Sequence, residues 1–168
     1  MKLILLITLA LCSCMANELV LNEQGFLKDC IEAWHSPPES WRLDDLPNAC
    51  GWEGIICSAR GLPGEHRITT LSLDKFELLG EIPHSINELT FIETLNLWHA
   101  KLQGSIPQEI GFLPHLRYMN LCCNELSGEI PQTLANLKRL RFLRLHENDL
   151  SGELPANLGE LHALEVLI

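Results

Sequence analysis

No Asn-x-Ser/Thr triplet occurs in the 168 residues, so the chain offers no acceptor for an N-linked glycan. Basic side chains are scarce: 12 Lys and Arg against 22 Asp and Glu leave a formal net charge of −10. That balance excludes a nucleic-acid surface, which needs a basic face for the phosphates. The acidic residues are spread along the chain rather than gathered in blocks, the pattern of a solvated surface. Beyond residues 3–11 there is no long apolar run, so no later segment is long enough to span a bilayer core of ~30 Å. A Gly-rich nucleotide loop and a kinase catalytic-loop motif are both missing, so phosphoryl transfer does not belong to this stretch. What is present reads as a folded domain: 46% hydrophobic and 20% charged residues are ordinary for a chain with a sizeable core.

Met1-Lys2 and the apolar run over residues 3–11, broken only by Thr8, form a secretory signal, with cleavage expected after Ala16. Leu11-Cys12-Ser13-Cys14 also resembles a bacterial lipobox, although Cys12 sits badly in that motif. Export to an oxidising compartment permits disulfides. Of seven cysteines, Cys12 and Cys14 fall in the leader and leave Cys30, Cys50, Cys57, Cys122 and Cys123, an odd number. At least one of these is therefore a free thiol or pairs with another chain.

Residues 68–168 hold one phrase written four times and begun a fifth, starting at Ile68, Ile92, Leu116, Leu140 and Leu164, each 24 positions after the last. Apolar residues recur at the fourth and sixth places: Leu71 and Leu73, Leu95 and Leu97, Met119 and Leu121, Leu143 and Leu145. Each copy continues to Leu-x-Gly-x-(Ile/Leu)-Pro, ending at Pro83, Pro107, Pro131 and Pro155. A fixed period of this length marks an α/β solenoid, in which each unit buries its apolar edge against the next.

Ahead of the repeats, Leu19, Phe26, Leu27, Cys30, Ile31 and Trp34 recur at helical spacing, with Glu23, Lys28, Asp29 and Glu32 assigned to the wet side. Pro37-Pro38 ends that helix, and Cys30 on its apolar stripe reads as a buried, inert thiol. Cys50 and Cys57 bracket Gly51-Trp52-Glu53-Gly54-Ile55-Ile56. One pair is too few for a structural zinc site, and a disulfide closing the end of the stack is the better-supported reading. Residues 58–67, rich in Gly and Pro, are read as a loop into the first strand.

The repeat resembles the plant-type leucine-rich repeat, and the third copy, from Leu116 through Asn124, Gly128, Ile130, Pro131 and Leu134 to Leu137, matches it nearly throughout. Trp41 followed by Cys50-Gly51-Trp52-Glu53-Gly54-Ile55-Ile56-Cys57 resembles the N-terminal cap of the same proteins. The resemblance implies a horseshoe with parallel strands on the concave face, a 3-10 or irregular convex side, and a helical, disulfide-stapled cap. It divides the chain into a leader over 1–16, a cap over 17–67 and repeats over 68–168. It also implies an ectodomain of a receptor-like kinase or receptor-like protein, or a secreted inhibitor of cell-wall hydrolases. Either way the molecule is extracellular, non-enzymatic and without a cofactor. One departure concerns the ninth place, Asn124 and Asn148 in copies three and four but Phe76 and Ala100 in the first two. Asparagine there can bridge the backbones of adjacent coils, so the side-chain ladder is expected to begin only at the third copy.

Within each strand the third, fifth and seventh places point outward and align into columns across copies. They read Thr70, Thr94, Tyr118, Phe142; then Ser72, Asn96, Asn120, Arg144; then Asp74, Trp98, Cys122, His146. The eighth column beside them is Lys75, His99, Cys123, Glu147. This face is the candidate site for a protein or peptide partner, with Trp98, Tyr118, Phe142 and Arg144 as its anchors, residue types that dominate interface energies. His99, Cys122, Cys123, His146 and Glu147 also carry the residue types of a thiol nucleophile or a zinc site. An open face without specified oxyanion donors argues against catalysis there, Cys122-Cys123 offers a vicinal disulfide instead, and no metal is assigned. The basic stretch from Lys138 to Arg144 follows the repeat period and reads as solvated, with an acidic ligand as the alternative. The sequence stops inside the strand of the fifth copy, from which a longer protein is expected, its membrane tether or kinase lying further on. An open solenoid end of this kind is also a surface for self-association.

Overall fold

A computed structural model describes Leu19, residues 21–59 and residues 65–168. The expected secretory leader, residues 1–16, lies outside the described residues. In chain order they form helix α1 (Leu21–Ala33) and the strands β1 (Ile55–Ala59), β2 (His66–Ser72), β3 (Thr94–Asn96), β4 (Tyr118–Asn120), β5 (Ser127–Glu129), β6 (Phe142–Arg144), β7 (Asp149–Ser151) and β8 (Val166–Leu167). The main sheet runs β1-β2-β3-β4-β6-β8, antiparallel at β1/β2 and parallel from β2 onward. Among the described residues no helix is long and apolar enough to cross a membrane.

The 24-residue period becomes a coil because three local requirements recur at fixed places. Ile68, Leu71, Leu73 and Leu78, with their equivalents in the next two copies, point inward and are wholly buried, so adjacent coils share one continuous core. The sixth residue of each strand segment then donates its N–H to the following coil: Leu73 to the Asn96 carbonyl, Leu97 to Asn120 and Leu121 to Arg144, each at 2.9 Å. Pro83, Pro107 and Pro131, at φ −61°, −68° and −59°, start the 3-10 turns His84–Glu88, Gln108–Phe112 and Gln132–Asn136 on the convex side. Proline fixes that φ at no cost and lacks the N–H that a helix start leaves unpaired. The fold class is as the sequence implied, with strands on the concave face.

Gly104, Gly128 and Gly152 turn the chain in the left-handed region, at φ 74°, 78° and 80°. In the first copy that turn falls instead on Leu79, at φ 53°, because Gly80 is held against α1. A Cβ on Gly80 would lie 2.3 Å from the Ala33 carbonyl oxygen. Segments around the repeat glycines also form a second sheet, which the residue pattern does not announce. β5 pairs in parallel with β7, and Ser105 bridges to Ser127.

The cap closes the first coil with a tryptophan stack. Trp34, Trp41 and Trp52 follow one another at centroid distances of 5.5 and 5.6 Å. Their ring N–H groups donate to the Glu81 carbonyl, the Glu53 carbonyl and Asp45 Oδ2 at 2.9, 3.0 and 3.4 Å. Cys50 and Cys57 form the disulfide, and Cys30 is buried and free.

Three expectations need correction. The helix spans Leu21–Ala33, and Leu19 instead makes an isolated bridge to His66. Glu23 is not on the wet side. It is wholly buried, pairs with Arg67 Nε at 3.0 Å and accepts the Ile68 N–H at 3.0 Å. Burial pushes its carboxyl above the ordinary value, against the pull of that N–H and of the guanidinium. Helical spacing puts Glu23 on the same face as Phe26, Leu27 and Cys30; its charge suggests the wet side, but the Ile68 N–H and Arg67 of β2 supply it with partners there. Lastly, Ser58, Ala59, His66 and Arg67 belong to the β1/β2 hairpin rather than to a loop.

Candidate functional site: the concave strand face

Parallel pairing puts the outward residues in register. Thr70 lies opposite Thr94, then Tyr118 and Phe142; Ser72 lies opposite Asn96, then Asn120 and Arg144. The columns split into two halves of different chemistry. In the first two coils the face is a polar cluster: Ser72 Oγ donates to Asp74 Oδ1 at 3.2 Å, and Asn96 Nδ2 reaches Ser72 Oγ at 3.1 Å and Asp74 Oδ1 at 3.4 Å. In the third and fourth coils it is aromatic and cationic. Tyr118 and Phe142 pack at 5.9 Å, and Arg144 stands beside them in the next column. Trp98 joins the halves, with Lys75 Nζ 5.0 Å from its ring.

Between these side chains lies a groove of about 530 Å³ lined by Asn96, Trp98, Tyr118, Asn120, Cys122, Cys123, Arg144, His146 and Glu147. Seven of these nine are outward column residues named from sequence; Cys123 and Glu147 come from the eighth column. Thr70, Ser72, Asp74, Thr94 and Phe142 flank the groove rather than line it. Asn120 and Cys122 are nearly covered by their neighbours, at 5% and 4% exposure, so they shape the floor. Asn120 Oδ1 accepts the Cys122 N–H at 3.2 Å and its Nδ2 reaches the Tyr118 hydroxyl at 3.4 Å, which fixes that floor. Three buried polar atoms here have no hydrogen-bond partner among the described residues: Asn96 Oδ1, Arg144 Nε and His146 Nδ1. Buried polar atoms are nearly always satisfied, so these three depart from the usual pattern.

The eighth column has a backbone cause. Lys75, His99, Cys123 and Glu147 all adopt left-handed φ, at 65°, 53°, 60° and 54°. Strand ladder bonds hold the first three there, through their N–H groups to the Trp98, Cys122 and His146 carbonyls at 2.7, 3.1 and 3.0 Å. The turn interrupts the two-residue alternation and brings the Cys123 thiol within 3.1 Å of Trp98 Nε1 and 3.3 Å of Glu147 Oε2. Cys122 and Cys123 are free thiols, so the vicinal disulfide does not form. Burial, with the neighbouring Cys123, pushes the Cys122 thiol up to about 11, the wrong direction for a nucleophile at neutral pH.

Adjacent coils supply partners to three of the four cations in the basic stretch, two of them carboxylates. Lys138 pairs with Glu160 at 3.2 Å, Arg139 reaches His115 Nδ1 at 2.9 Å, and Arg141 Nε pairs with Glu165 at 2.7 Å. Within that cluster Arg144 is the cation that faces the groove.

Residues 90–150 match the family described as leucine rich repeat. No curated protein matches the chain. Among solved structures, the PEPR1–AtPEP1 structure superposes with a TM-score of 0.77 at 29% identity over 86% of this chain. The chain spans only 20% of that protein's length. The LRR ectodomain of the receptor kinase SOBIR1 from Arabidopsis thaliana gives 0.74 at 27% identity, covering 89% of this chain and 79% of the other. The BIR2 ectodomain from the same plant gives 0.63 at 31% identity, covering 85% and 69%. The BIR2 likeness and the repeat match over residues 90–150 together show that the chain belongs to the leucine-rich repeat family in its plant-type form.

Proposed function

We propose that the chain is an extracellular recognition module that binds a protein or peptide partner across the concave face, centred on the groove between Trp98 and Arg144. The observation that carries this reading is the coincidence, in one groove, of Trp98 and Tyr118 with the Arg144 cation, residue types that anchor interfaces. The repeat's own packing does not require Trp98, Tyr118, Phe142 or Arg144, because the inward residues already fill the core. Support also comes from the relatives, which include a receptor-kinase ectodomain and a structure of PEPR1 with AtPEP1. On this reading the chain works outside the cell, is not an enzyme, and serves as the N-terminal portion of a receptor-like protein or receptor kinase. Inhibition of a secreted polysaccharide hydrolase by the same face is the second outcome of the test.

The test is a binding screen of the immobilised full chain against secreted peptides and purified ectodomains, followed by Trp98→Ala and Phe142→Ala. Each variant should weaken a retained ligand about thirtyfold, equivalent to the ~2 kcal/mol of an interface anchor, with a nearly unchanged melting temperature. Undiminished binding by both variants would overturn the assignment. If instead the chain blocks a polysaccharide hydrolase and the variants lose that inhibition, the inhibitor reading replaces the receptor one.

A further inference from the structure

The cysteine pair has no role in peptide recognition as described, yet its surroundings are specific. Donor atoms of Cys122, Cys123 and His146 all lie within 4.8 Å of one another. They come from two coils, the cysteines from the third and the histidine from the fourth. A tetrahedral zinc ion, with Zn–S of ~2.3 Å and Zn–N of ~2.0 Å, separates its ligand atoms by about 3.3–3.8 Å. Rotamer adjustments of about 1 Å therefore suffice to close the set.

Two further observations point to a ligand. His146 Nδ1 is buried with no partner among the described residues, although a histidine held only for packing normally places its ring nitrogens. The Trp98 N–H, 3.1 Å from Cys123 Sγ, is directed at sulfur rather than at oxygen. An N–H donated to a ligating thiolate is the outer-shell contact that stabilises its charge.

We propose that Cys122, Cys123 and His146 form a zinc-binding site on the concave face, with Glu147 as the adjacent carboxylate able to complete a tetrahedron. Glu147 Oε2 lies 3.3 Å from Cys123 Sγ. Binding converts both thiols to thiolates and releases their two protons to solvent, while His146 coordinates as neutral imidazole. No oxidation or reduction takes place. The ion would link the third coil to the fourth at the floor of the groove. This site goes beyond the recognition reading and stands or falls independently of it.

The experiment uses the reduced full chain under anaerobic conditions, with Co²⁺ as spectroscopic probe and Zn²⁺ as competitor. The expected result is a thiolate-to-cobalt charge-transfer band saturating at one ion per chain and abolished by Zn²⁺. Zn²⁺ should also raise the melting temperature. Cys122→Ser and His146→Asn should each cut affinity at least tenfold, while His162→Asn, on the last convex turn, should bind as the parent does. If a variant fails to fold, the parent decides. Zn²⁺ must protect both Cys122 and Cys123 from alkylation, read residue by residue by mass spectrometry. Absence of the band, absence of protection, variants that bind like the parent, or a Cys122–Cys123 disulfide in the isolated folded protein each overturns the site.

Discussion

Asn124→Ala should be among the most damaging single changes in the repeat region, although it removes only one small polar side chain. Asn124 is 9% exposed and makes five contacts across the turn between coils two and three. Its Oδ1 accepts the N–H groups of Ala100 and Leu102 at 2.9 and 3.1 Å. Its Nδ2 donates to the Leu97 and Leu121 carbonyls at 2.8 and 3.0 Å, with the Cys122 carbonyl at 3.3 Å. Alanine leaves both N–H groups buried and unpaired, at about 1–3 kcal/mol each, for a total near 3–5 kcal/mol. Asn148 is half-buried and accepts one N–H, from Leu126 at 3.1 Å, so Asn148→Ala should cost about 1–2 kcal/mol. The assay is equilibrium urea unfolding of parent and both variants, with two probes to check that the transition is two-state. A third variant sharpens it. Ala100→Asn should stabilise by no more than about 0.5 kcal/mol, because the Leu78 N–H already donates to the Ala100 carbonyl at 3.0 Å and needs no bridge. An Asn124→Ala cost below about 1.5 kcal/mol, or no larger than that of Asn148→Ala, would refute the argument that buried backbone amides set the price of the turn.

Other consequences can be checked on the same apparatus. Glu23 binds its proton more tightly folded than unfolded, so its contribution is fully present below its ordinary value of 4.5 and is lost as pH rises through the higher folded value. The stability of Glu23→Gln relative to the parent should therefore increase between about pH 4 and pH 7; a flat difference in pH-dependent unfolding counts against a raised carboxyl. Removing Arg67, whose side chain is 13% exposed, leaves that carboxylate buried without its cation, so Arg67→Met should lower the unfolding free energy by about 2–4 kcal/mol. Gly25→Ala, in α1 with nothing within 4 Å of the new Cβ, should stabilise by about 0.5–1 kcal/mol in thermal melts. Gly111→Ala should do the reverse, since its Cβ would sit 2.3 Å from the Thr133 carbonyl oxygen of the next convex turn.

The solenoid was legible because its signals are local and repeated. A leucine at the fourth or sixth place has one way to face, and Pro83, Pro107 and Pro131 fix where the 3-10 turns of the first three copies begin. The ladder of bridging asparagines likewise starts at Asn124, as the identities at the ninth place require. What the sequence could not supply were demands made by another part of the chain. Glu23 lies on the apolar stripe, three, four and seven residues before Phe26, Leu27 and Cys30, but nothing local shows that a carboxylate is satisfied there; its partners, the Ile68 N–H and Arg67, come from β2. The small sheet of β5 and β7 was hidden for a related reason. Ser127-Gly128-Glu129 has no β-rich composition, and the pairing arises because stacking carries it alongside Asp149-Leu150-Ser151 of the next coil.

The site was legible as columns but not as a groove, and the difference lies in the backbone at the eighth place. Strict alternation would aim Cys122 and Cys123 at opposite faces. Left-handed φ at a non-glycine residue costs roughly 1–2 kcal/mol, yet Lys75, His99, Cys123 and Glu147 all accept it. Lys75, His99 and Cys123 end their strands by donating to the next coil, so at these places the strain is set by the stack rather than by the residue that bears it. Side-chain identity at the eighth place is thus free of the fold's demands while its position is fixed by them. That combination lets a repeat protein vary chemistry on one face without disturbing the coil. It also makes the eighth column, together with Trp98 and His146 in the seventh, the place where a change in sequence should alter what is bound before it alters stability. Cys123→Ser should accordingly leave the unfolding free energy from urea titration within about 0.5 kcal/mol of the parent, since Ser keeps the backbone donor to the His146 carbonyl. A loss several times larger would show that the thiol is structural, and that the eighth place is less free than its geometry implies.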